Sequence, residues 1–194
     1  HSQFYKGRSP IWEDLKKGNI KIIDTPQIGS IDVAYLDLPT EAILLQGKDL
    51  VEIIEIINIL VEAMMDRNIP HNLNFIYEDG TFKVIVFLVK KQGAECLNSI
   101  DPLGYIGMGG FERANRWCLV SEETFDYINT HPEEAANMFI EALRESSADR
   151  SLTRDLLGFL TTNLSECERG GITIQFNSPQ THPISTSPTW SMAG

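Results

Sequence analysis

Short apolar runs, punctuated by glycine and proline, fill the first part of the chain. IKIID and IDVAYLDL are separated by Pro26 and Gly29 and predict two extended segments, the second closed by Pro39. AILLQG predicts a third, ending at Gly47. Ahead of them, FYKGRSPIWEDLKKGN reads as a strand end followed by a loop or short helix. At Asp49 the period changes. From there to Met65 apolar residues cover most of a helical surface, while Glu52, Glu55 and Glu62 fall near one stripe. That pattern predicts a helix packed on a sheet with one wet face. Asp49 and Glu52 have capping-box spacing, with aspartate in the Ser/Thr position, and the helix must end before Pro70.

NLNFIYEDGTFKVIVFLVKK follows. Asp79-Gly80 between two β-rich runs predicts a hairpin, because a tight type I′ turn needs positive φ at both central positions. The second arm, FKVIVFLV, is nearly continuous in apolar residues and predicts a central strand covered on both faces, ending at Lys90-Lys91. A loop from Gln92 to about Leu103 leads into GYIGMGGFERANRWCLVSEETFDYI, where three of the four residues from Gly107 to Gly110 are glycine. No βαβ unit surrounds this cluster and no helix is predicted directly after it, so it is not a dinucleotide fingerprint. Ser121 predicts a cap for a helix to Ile128. Thr130 and Glu133 predict a second capping box, opening a helix to about Arg144. Leu152, Leu156, Leu160 and Leu164 mark a third helix over 151–164. The order of elements predicts an α+β fold, a mainly antiparallel sheet with packed helices, over residues 1–168. Residues 169–194, poor in charge and rich in Ser, Thr and Pro, predict a loose tail.

Composition narrows the function. A formal net charge of −11 over 194 residues argues against a nucleic-acid partner, whose phosphates require a basic face. It leaves room for a small nucleotide. Cys96, Cys118 and Cys167 are widely spaced with no CxxC, which disfavours zinc and suits a reducing, cytoplasmic compartment. No apolar run reaches the roughly 20 residues that span a bilayer, so no membrane partner is expected. No ligand cluster for a metal and no cofactor motif are visible.

GKDLVEIIEIINILVEAMMDRNIPHNLNFIYEDGTFKVIVFLVKK resembles the GDP-hexose phosphorylases, the GDP-D-glucose and GDP-L-galactose enzymes of the histidine-triad superfamily. In that family a long helix leads into a strand through an entry matched here by Pro70-His71-Asn72, and a following strand ends in basic or polar residues, matched by Lys90-Lys91. YLDLPTEAILLQG and the glycine-rich segment before Ser121 fall where the family has similar elements, so the resemblance covers about residues 1–145. It implies a histidine-triad-like fold, present here without its N-terminal portion, in which HSQ is the second half of an H-x-H-x-Q cluster. His1 would then be the nucleophile and Gln3 the phosphate-binding amide, with Lys90 and Lys91 on the substrate. The implied substrates are GDP-hexose and inorganic phosphate, converted through a nucleotidyl-histidine without a cofactor. The implied role is that of the C-terminal part of a longer enzyme, the piece alone having little activity.

Plainer readings stand beside these. His1 is equally a chance chain start, and Lys90 and Lys91 read first as a solvated strand end. His71 reads as a hydrogen-bonded residue of the helix-to-strand turn, with Asn72 bracing it. Arg113 and Arg116 read as surface partners of Glu112 and its neighbours rather than as an anion site. Cys118 reads as core, and His131 and His182 carry no role. The competing functional class is a catalytically silent scaffold or interaction domain of the same fold. Neither the hexose nor the oligomeric state is legible.

Overall fold

The computed structural model describes residues 9–24, 27–101, 106–119 and 121–170. Helix α1 (Pro10–Lys16) is followed by β1 (Lys21–Asp24), β2 (Asp32–Asp37), β3 (Ala42–Gly47), α2 (Leu50–Asp66), β4 (His71–Glu78) and β5 (Thr81–Leu88). A 3-10 turn (Glu95–Leu97) then leads to α3 (Gly110–Arg113), α4 (Glu122–Thr130), α5 (Pro132–Glu145) and α6 (Arg150–Gly170). The five strands make one antiparallel sheet in the order β1-β2-β3-β5-β4, giving the expected α+β class. The β4–β5 hairpin turns at Asp79 and Gly80, whose φ angles of 51° and 74° are the left-handed pair that a two-residue turn demands.

Alternation along the strands sorts the core onto two faces. Val33, Ile43, Leu45, Val84, Val86 and Leu88 lie under α2, with Leu156 and Leu160 of α6 closing that side. Ala34, Leu36, Ala42, Leu44, Ile85 and Phe87 point the other way, under Ile11 and Trp12 of α1. β5 is thus buried on both faces and flanked by β3 and β4, as its unbroken apolar run predicts. A third cluster, built from Leu97, Ile100, Ile106, Met108, Ala142 and Leu143, holds the helical lobe together.

Caps follow sequence only in part. Asp49 accepts from the backbone N–H of Val51 and Glu52, opening α2 as expected. Glu52 does not return the bond. Its carboxylate accepts instead from the backbone N–H and hydroxyl of Ser30 in the β1–β2 connection. Gly29 precedes Ser30 with φ 57°, and a Cβ there would collide with that carboxylate. Ser121 caps α4 through the N–H of Thr124. The expected Thr130–Glu133 box is not formed. The Thr130 hydroxyl donates back to the carbonyls of Asp126 and Tyr127, and α5 starts at Pro132, whose missing N–H suits a first helical position. Two further expectations are corrected. One turn of helix, α3, does directly follow the glycine cluster, and Cys118 is exposed rather than core. α6 runs to Gly170, beyond the expected end at Leu164. No helix among the described residues is long and apolar enough to cross a membrane.

Candidate functional site

His1 and Gln3 lie outside the described residues, as do residues 171–194. The nearest described segment is α1, and two contacts fix its direction. The Trp12 ring stacks with Lys83, whose Nζ lies 5.4 Å from the ring centroid, and Lys16 pairs with Glu78. Lys83 is opposite Ile76 in the β4–β5 ladder. α1 therefore runs alongside β4 in the same sense, and its first turn lies toward Asn74 and Asn72. Three buried polar atoms have no hydrogen-bond partner among the described residues: Ser9 Oγ and Trp12 Nε1 at the start of α1, and Asn72 Nδ2 on β4. Unpaired polar atoms inside a protein cost on the order of 1–3 kcal/mol each, so two on α1 and one on β4 are a feature needing a reason. Two are obligate donors, an indole N–H and an amide NH₂. α3 begins against Asn72, with Gly110 in van der Waals range of its side chain. Asn72 therefore does not brace the helix-to-strand turn. His71 does, its Nδ1 3.1 Å from the Ile69 carbonyl.

The two lysines at the end of β5 part company. Lys90 is exposed. Lys91 reaches Glu145 Oε1 at 2.5 Å and Glu95 Oε1 at 3.6 Å. Glu145 also accepts from the backbone N–H groups of Glu95 and Cys96, so it caps the 3-10 turn. The Lys91 ammonium, with those amides, holds the Glu145 carboxyl down at about 2. Burial, with Glu145 beside it, pushes the Cys96 thiol up to about 11, which leaves it unreactive near neutrality. A carboxyl depressed in the folded state stabilises fully above its unfolded value and loses that contribution as pH falls toward about 2. Urea unfolding should therefore show Glu145→Gln destabilised by about 1–2 kcal/mol near neutral pH. Wild type and variant should converge between about pH 4.5 and pH 2. A constant gap across that range would show that the ion pair is not the source.

Arg113 is the largest departure from the sequence reading. It is 2% exposed, not a surface partner of Glu112. Its Nε donates to the Met108 carbonyl at 3.1 Å, Nη1 to Thr40 Oγ1 at 2.7 Å, and Nη2 to the carbonyl and hydroxyl of Ser146 at 3.1 and 3.0 Å. Every one of these acceptors is neutral. Glu112, beside it in sequence, spends a carboxylate oxygen on the N–H of Gly109. Burial pushes the guanidinium down to about 10, against a weak opposing pull from Glu112.

The unpartnered group at Ser9, Trp12 and Asn72 escaped the sequence reading. Its one visible signal is Asn72 and Asn74 two positions apart, which puts two amides on one face of a strand otherwise built for the core. Among the described residues no three His, Cys, Asp or Glu side chains converge as a metal site would require. Compared with models of protein families, with curated proteins and with solved structures, the chain matches none.

Proposed function

We propose that the chain is the C-terminal part of a nucleotidyltransferase of the GDP-hexose phosphorylase kind, with a histidine-triad-like sheet as its scaffold. In this reaction the His1 imidazole attacks the α-phosphorus, the bond to the β-phosphoryl oxygen breaks, and hexose 1-phosphate leaves. Inorganic phosphate then attacks the nucleotidyl-histidine, the P–N bond breaks, and GDP is released with the imidazole restored. A neutral imidazole is nucleophilic near pH 7, and Gln3 supplies an amide donor that does not compete as a base. The observation that supports this reading is that Ser9 Oγ, Trp12 Nε1 and Asn72 Nδ2 are buried with no hydrogen-bond partner among the described residues. Preformed donors of that kind are what developing charge on a transferring phosphoryl group requires. Lys90, exposed at the strand end, adds a cation for the substrate phosphates.

A chain extended upstream, incubated with GDP-hexose in the absence of phosphate, should acquire a guanylyl label on His1. The label should be labile in acid and durable in alkali, as a phosphoramidate is, and phosphate should discharge it as GDP. Absence of any labelled protein, or a label on His71, removes the reading.

One feature favours a second reading, an interaction domain without catalysis. Phe75 and Tyr77 on the edge strand β4 are 57% and 65% exposed, and with the exposed Leu50 of α2 they line one surface hollow. Exposed aromatic clusters of that kind mark association surfaces. Under that reading the extended chain takes up no label.

A further inference from the structure

Between α1, the β2–β3 connection and α5 lies a cavity of about 380 Å³. It is within the range of small-molecule pockets, roughly 300–1,000 Å³. Its walls are mostly apolar: Ile20, Leu38, Phe139 and Leu143, with Trp117 stacked on Phe139 at 3.9 Å between centroids. Two polar side chains in the wall are fully buried, Arg113 and Thr40. A guanidinium carries five N–H donors in a fixed fork. Nε takes one acceptor and Nη2 two, but among the described residues Nη1 takes only Thr40 Oγ1, which leaves one Nη1 hydrogen unspent. The Thr40 oxygen is an acceptor in that bond, and its own hydrogen has no acceptor among the described residues. Two unspent hydrogens therefore sit on atoms 2.7 Å apart, one on the Thr40 hydroxyl and one on a buried cation that has no ion-pair partner among the described residues.

We propose that this cavity binds a small apolar monocarboxylate, aromatic or branched, whose two oxygens meet Arg113 Nη1 and the Thr40 hydroxyl. This site is separate from the phosphoryl-transfer face and does not depend on that reading. A carboxylate supplies two acceptors at matching separation and the missing countercharge, while the apolar body displaces water from the Trp117–Phe139 wall. Asp14 also lines the cavity, its carboxylate held by the Asn19 side chain at 3.0 Å. Its charge selects against a second negative group on the ligand.

Calorimetric titration of the 194-residue chain with phenylacetate tests the proposal. Phenylacetate should bind with a Kd of about 1 mM or tighter. Phenylacetamide, the neutral isostere, should bind at least about tenfold more weakly, because it forfeits the charge-assisted bonds. Phenylmalonate should also be weaker, through its second carboxylate. Ala136 lines the cavity from the exposed side of α5, so Ala136→Phe should block it without disturbing the core. That variant should keep its helical circular dichroism and lose phenylacetate binding by at least about tenfold. Failure of phenylacetate to bind, equal binding of acid and amide, tighter binding of phenylmalonate, or undiminished binding by Ala136→Phe each overturns the proposal. The acid–amide comparison needs no variant and so does not depend on how Ala136→Phe folds.

Discussion

Replacing His1 by asparagine in an upstream-extended chain should lower phosphorolysis of GDP-hexose by at least about a thousandfold and abolish the covalent label. Asparagine fills a similar volume and keeps a hydrogen-bonding amide, but it offers no lone pair that can attack phosphorus. The loss falls on the chemical step, so kcat should fall while KM for GDP-hexose moves little. Removing a nucleophile typically costs more than removing any supporting donor. Gln3→Leu should accordingly be milder, about a hundredfold, since it withdraws one donor from the developing charge. Asn72→Leu offers a control on the sheet face. If the Asn72 amide serves the phosphoryl group, kcat falls with stability unchanged or raised, because a buried amide without a partner among the described residues has been removed. If rates at His1→Asn stay near wild type, the nucleotidyl-histidine route is wrong for this protein. The competing interaction-domain reading then takes its place.

Arg113→Ala should destabilise the fold by about 3–5 kcal/mol, read as a lower urea midpoint at unchanged m-value. The guanidinium ties together pieces that are remote in sequence: Thr40 between β2 and β3, Met108 ahead of α3, and Ser146 after α5. Truncation leaves the carbonyls of Met108 and Ser146 and the Thr40 hydroxyl short of a donor, and it opens a void between sheet and helical lobe. Unsatisfied acceptors and the void act in the same direction. Arg113→Lys keeps the charge but loses the fork. One ammonium cannot reach acceptors on three sides, so this substitution should still cost about 2 kcal/mol or more. A loss under about 1 kcal/mol for Arg113→Ala would mean that sheet and lobe hold together without it.

What the sequence disclosed follows from how local each cause is. The DG turn, the Asp49 cap and the Ser121 cap act over two to four residues, and all three are present. The apolar run of β5 announces burial on both faces, and the structure has it. The place of Arg113 is not legible in the sequence because its neighbours there, Glu112 and Arg116, describe a surface. Its actual partners lie 73 and 33 residues away, where no periodicity reaches. Thr130 departs from its expected cap for a subtler reason. Its hydroxyl has two local options, a cap ahead or a carbonyl behind, and the proline at α5's first position favours the second. Nothing local to Asn72 told that its amide would be buried without a partner, since that depends on where α1 and α3 come to rest.

The strand order also sets how the chain reaches this state. β1, β2 and β3 pair with their sequence neighbours, and β4 pairs with β5 across two turn residues. Each of those units can close over a short loop within microseconds. Only the β3–β5 ladder joins them, and it must span α2 and β4 to do so. Loop-closure entropy is therefore concentrated in one encounter, in which the meander and the hairpin zip together under α2. The segment around Ser147 then lies against the end of β5, where Ala148 donates to the Leu88 carbonyl and the Ser147 hydroxyl accepts from the Glu41 N–H. Its register exists only after that encounter. α6, whose Thr153 holds the Glu41 carboxylate at 2.7 Å, is accordingly a late arrival, and its residues should act on the unfolding rate rather than on the rate of folding.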